Sequence, residues 1–107
     1  VCGLALLAEG SSTTQGAFQE PMRKLVGYAV GRVGEDGSLA PGDTCETWSD
    51  AFAALALAEV QRRDGERAAG VRDALARIAG RVRALQVDSG GWFHGAKHLK
   101  AWPGLAR

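Results

Sequence analysis

An all-α stack of helical hairpins is the fold this sequence predicts, and three observations predict it. The first is an internal repeat. Leu4-Ala5-Leu6-Leu7-Ala8-Glu9 aligns with Ala54-Leu55-Ala56-Leu57-Ala58-Glu59, and Val30, Asp36 and Leu39 find counterparts in Val82, Asp88 and Trp92; self-similarity at a period of tens of residues marks a stacked repeat. The second is the order of helix types, apolar throughout and then amphipathic, which occurs twice. The third is the punctuation, since glycine-containing polar clusters separate each helical pattern from the next.

The first helix covers Val1 to Glu9, apolar on every side and so expected to be buried all round. Gly10 stops it, and Ser11 to Gly16 reads as a polar loop. The second helix starts near Pro21, a favoured first-turn residue. It carries Met22, Leu25, Val26, Ala29, Val30 and Val33 on one stripe, with Arg23, Lys24 and Arg32 off it. Gly34 to Ser38 is a turn and Pro41-Gly42 a second, making Gly34 to Cys45 a long connection. The third helix runs from about Trp48 to Gln61 and repeats the apolar character of the first; Thr47-Trp48-Ser49-Asp50 has the pattern of a capping box at its start. Asp64-Gly65 breaks it. The fourth spans about Glu66 to Gln86, with Val71, Leu75, Ile78, Val82 and Leu85 inward and Arg72, Arg77, Arg81 and Arg83 on a solvated face.

The order is therefore inner, outer, inner, outer. Two hairpins do not surround both inner helices, so further hairpins of the same array are expected as neighbours. With Val1 in the first position and an apolar run that begins uncapped, the 107 residues read as one part of a larger repeat domain. The first repeat is residues 1–45, the second 46–97, and 98–107 begin another hairpin. A closed α/α toroid and an open, protein-binding α-solenoid both satisfy this periodicity.

Thirteen Lys and Arg against twelve Asp and Glu leave a formal charge of +1, which provides no global field for nucleic acid or anionic lipid. No apolar run approaches the length of a membrane span, and no charged leader with a cleavage site opens the chain. The expectation is a soluble protein, with the cytoplasm somewhat favoured. Two cysteines, Cys2 and Cys45, are too few for a disulfide framework.

The segment Gln86-Val87-Asp88-Ser89-Gly90-Gly91-Trp92 resembles the Gln…Gly-Gly-Trp turn between helices of the squalene-hopene cyclase and prenyltransferase superfamily. Gly34-Glu35-Asp36-Gly37-Ser38-Leu39 echoes it one repeat earlier. Ala51 to Val60 is similar to the inner helix of bacterial prenyltransferase and squalene-oxidase repeat proteins. The resemblance covers almost the whole chain and implies an α/α toroid. The turn also has a physical reading: Gln86 bonds free carbonyls at a helix end, the glycines allow unusual backbone angles, and Trp92 covers the end of the hairpin.

The resemblance also directs attention to chemistry. Cyclases of this superfamily protonate an alkene with an Asp-x-Asp-Asp run, which these residues lack. Protein prenyltransferases hold zinc with an Asp, a Cys two residues later and a His from a later hairpin; Asp43, Cys45 and His94 or His98 match that order. Carboxylate, thiolate and imidazole are all zinc ligands, and three of them leave the open position of a catalytic site. Against this stand the residues after Cys45, Glu46-Thr47-Trp48, where the family has an aromatic immediately, and the simpler roles of Cys45 in packing and Asp43 in the loop.

Asp50 and Trp48, at the mouth of an inner helix, and Trp92, in the turn, are the candidate ligand-binding residues. A helix-terminal carboxylate and packing tryptophans are the structural alternatives. The expected function is a repeat or ligand-binding scaffold for an apolar or isoprenoid small molecule, without cofactor. A zinc-dependent transferase and a protein-binding solenoid are the alternatives from other classes.

Overall fold

The computed structural model describes residues 1–39 and 46–92. Among the described residues four helices are present: α1 (Cys2–Glu9), α2 (Gln19–Arg32), α3 (Glu46–Asp64) and α4 (Val71–Ala84), with a 3-10 turn at Gly65–Arg67 between the last two. They form two hairpins, α1 with α2 and α3 with α4. The hairpins stack, α1 on α3 and α2 on α4, and α3 with α4 makes the most extensive pairing. The all-helical class expected from the repeat is thus present, as two hairpins packed side by side.

The core lies between the hairpins. Leu7 of α1, Met22 and Val26 of α2, Leu57 and Val60 of α3, and Val71, Ala74 and Ile78 of α4 are buried in one cluster. Each large side chain there contributes about 1.5–3 kcal/mol through removal from water. The stripe positions of α2 and α4 supply these contacts, as their helical spacing requires.

Helix ends follow local chemistry. Gly10 ends α1 in the left-handed region at φ 113°, where it returns its N–H to carbonyls of the last turn. That end is also closed from outside, because Nη1 of Arg63 on α3 donates to the Leu7 carbonyl at 2.6 Å. Gly37 has φ +85°, and a Cβ there would collide with the carbonyl of Arg77 on α4. Only glycine lets the 34–39 turn lie this close to α4.

Several expectations are corrected. The inner helices are not buried all round: Ala5 and Ala8 of α1 and Ala51, Phe52, Leu55 and Ala58 of α3 are exposed, because two hairpins cover only one side of each. Helix α3 begins earlier than Trp48 and ends later than Gln61, and its start is not a capping box, since the Thr47 hydroxyl is buried without a partner. The fourth pattern begins with the 3-10 turn, and α4 itself starts at Val71.

Arg77 and Arg81 do not belong to a solvated face. Nη1 of Arg77 donates to the carbonyls of Val33 and Gly34, both at 3.2 Å, and Arg81 approaches Asp36 at 3.9 Å and Glu46 at 3.8 Å. The two arginines tie the 33–36 turn to α4. No helix among the described residues is long and apolar enough to cross a membrane.

Candidate functional site

Where α1, α2 and α3 meet, the side chains leave an apolar groove of about 490 Å³, within the range of small-molecule sites. Helix α3 supplies one wall. Trp48 and Phe52 are one turn apart on the same face, with ring centroids 6.2 Å apart and planes inclined by 27°. Leu25, Tyr28 and Ala29 of α2 form the other wall, at the spacing of a single face. Gly3, Ala53, Ala56 and Leu57 line it between them.

The small residues make room for the groove. A Cβ at Gly3 would stand 3.0 Å from Leu25, so glycine lets α1 and α2 approach. Tyr28 is 71 % exposed and Trp48 54 %; large rings left open on the two walls of one concave surface mark an interaction site more than scattered single residues do. The lining is carbon-rich, with Ser49, the Tyr28 hydroxyl, the Trp48 indole and the exposed Cys2 among its polar members.

Of the expected binding residues, Trp48 lies in this groove. Asp50 does not, although it is two positions away. It is fully buried and accepts a hydrogen bond from the Leu39 N–H on Oδ1 at 3.3 Å, while Oδ2 has no partner. Burial pushes its carboxyl above the ordinary range, the Leu39 amide and Arg81 pull it down, and Glu46 and Asp36 push it up again; the net direction is upward. Asp50 therefore faces the 34–39 turn and helps to hold it.

Trp92 lies on the other side of α3. Its indole N–H donates to the Val82 carbonyl at 2.7 Å, and it borders a shallow groove with Ala51, Leu55 and Gln86. The expected Gln86 role is thereby reassigned. Gln86 Nε2 donates to the Gly90 carbonyl within the turn at 2.8 Å, and Trp92 is the residue that satisfies a helix carbonyl. Gly90, at φ +97°, provides the reversal.

At the far end of α3, Asp64 is 3 % exposed and surrounded by donors. Oδ2 accepts from the Thr13 N–H at 3.0 Å and the Thr13 hydroxyl at 2.5 Å, and Oδ1 from the Thr14 hydroxyl at 2.8 Å. Burial acts to raise its pKa, but the hydrogen bonds from Thr13, Thr14 and Ser12 outweigh it and hold the carboxyl below its ordinary range. The loop read as merely polar is thus a buried bracket, with Ser11, Ser12 and Thr13 all inside.

The zinc candidates Asp43, Cys45, His94 and His98 lie outside the described residues. Among the described residues no group of three or more His, Cys, Asp or Glu side chains is placed to hold a metal ion. Sequence reasoning missed Tyr28, Leu25 and Phe52 as groove residues. An aromatic at position 28, off the apolar stripe of an outer helix, was the available signal. Compared with family models, with curated proteins and with solved structures, the chain finds no significant match.

Proposed function

We propose that this chain is part of a helical-repeat scaffold of the cyclase and prenyltransferase type, closing as an α/α toroid in the complete array, and that it binds an apolar ligand of isoprenoid size. The observation that carries the reading is the groove between α1, α2 and α3, with the Trp48–Phe52 pair on one wall and Tyr28 on the other. A ring-lined concavity with few polar atoms rewards burial of a branched hydrocarbon and offers little to a charged one. The reading is one of binding, since Asp50, the acid two positions from Trp48, is turned into the protein and holds a turn.

Farnesol titrated into the chain, followed by amide NMR, tests this. Saturable shifts are expected at Leu25, Tyr28, Phe52 and Ala53, with affinity about tenfold weaker in Trp48→Ala, the loss typical of a central aromatic anchor. Absence of saturable binding, or equal affinity in Trp48→Ala and in the groove-filling Ala53→Leu, overturns the proposal. Turnover of an isoprenoid diphosphate, with stoichiometric zinc lost in Cys45→Ala, would replace it with the transferase reading.

A further inference from the structure

A second pocket, of different chemistry, lies between the first turns of α2 and the connection from α3 to α4. It measures about 460 Å³ and is lined by Thr13, Thr14, Arg23, Gly27, Arg67 and Ala68, among others. Its two arginines are held in the same way. Arg23 donates from Nε to the Thr13 carbonyl at 2.8 Å, and Arg67 from Nε to the Asp64 carbonyl at 3.2 Å. A neutral acceptor thus anchors each guanidinium, and the charge and the terminal N–H donors are left over.

The neighbouring carboxylates leave the terminal nitrogens of Arg67 without an ion pair among the described residues and those of Arg23 only loosely paired. Asp64 has its oxygens occupied by Thr13 and Thr14 and is buried beneath them. Glu20 approaches Arg23 at 3.7 Å, with both side chains more than half exposed, a geometry worth little in water. Arg67 makes no ion pair among the described residues, whereas the next cation along, Arg72, is paired with Glu66. Helices α2 and α4 both begin at this end, and their N-terminal amides add partial positive charge. Beside Gly27 the space is open, since a Cβ there would meet nothing within 4 Å.

We propose that this pocket binds an oxyanion of the phosphate class, a phosphomonoester or diphosphate group, through the terminal nitrogens of Arg23 and Arg67. The planar guanidinium fork matches two phosphate oxygens at once. Thr13 and Thr14 direct their hydroxyl protons to Asp64, so they position the arginines and the loop while the arginines make the contact. The site is separate from the apolar groove and does not depend on it.

The probe is inorganic diphosphate, titrated into the whole chain and followed by NMR at the Gly27 amide and the two arginine Nε–H groups. Saturable shifts at all three are expected, with affinity falling about tenfold or more in Arg67→Gln, the loss of a charge-assisted contact, and less in Arg23→Gln. Gly27→Phe should block the pocket with helix content unchanged by circular dichroism. Trp48→Ala should leave diphosphate binding intact, which separates this site from the groove. Equal affinity for sulfate at matched ionic strength, or unchanged affinity in the Arg23→Gln/Arg67→Gln double variant, overturns the proposal.

Discussion

The two ends of α3 each carry a buried aspartate, and they are built on opposite principles. Asp64 sits among hydroxyl and amide donors that occupy both of its oxygens, and its carboxyl is held below the usual range. Asp50 receives one long hydrogen bond, keeps an oxygen without a partner, and is pushed upward. The same residue type in the same helix is a brace at one end and a local cost at the other. Burial alone does not decide the outcome; the number of donors aimed at the charge does.

Breaking the stronger end should have the largest effect. Asp64→Asn places an amide among donors and removes the charge they converge on, and should destabilise the fold by about 3 kcal/mol, the upper range for hydrogen bonds to a charged group. Urea denaturation would measure it, and a loss under about 1 kcal/mol would erase the contrast between the ends. Asp50→Asn should act in the reverse direction and more weakly. It keeps an oxygen for the Leu39 amide and removes a charge that burial disfavours, so thermal melts at pH 8 should show equal or greater stability than the parent. That gain should shrink as the pH falls towards 3.8, the ordinary value of the group.

The smallest effect sharpens the comparison through pH. Glu59 is lowered to about 2 by hydrogen bonds from Arg62 and then Arg63, and Asp64 is also lowered. Groups depressed in the folded state stabilise it above their unfolded pKa and lose that contribution as pH falls through the folded value. Thermal stability should therefore decline from about pH 4.5 towards pH 2. Asp64→Asn should remove more of that decline than Glu59→Gln, because the glutamate pairs lie nearer solvent, where ion pairs count for less.

Much of the fold was legible in the residues. Met22, Val26 and Val33 of the α2 stripe and Val71 and Ile78 of the α4 stripe became the core, and Gly10 and Asp64-Gly65 ended helices where their chemistry requires. Periodicity reports which face a helix buries, and it does so locally. It says nothing about partners that arrive from another repeat. Arg77 and Arg81 looked solvated because their acceptors, Val33, Gly34, Asp36 and Glu46, come from an earlier segment. Ser11, Ser12 and Thr13 looked like surface for the same reason.

The candidate site was half legible. Trp48 was visible as a large ring at a helix mouth, whereas Asp50 was misread as its neighbour in space because the two are neighbours in sequence. A helix turns about 100° per residue, so residues two apart face different ways. Tyr28 and Leu25 come from another helix and could be assigned to the groove only once α2 was placed against α3.

Arg63 and Asp64 are adjacent in sequence, yet each grips a different part of the first hairpin: the Leu7 carbonyl in one case and the Thr13-Thr14 bracket in the other. Inserting one residue into α3 ahead of them would swing both about 100° around the helix axis and release both grips together. The third helix thereby serves as a ruler, whose count of residues sets how the second hairpin is indexed onto the first.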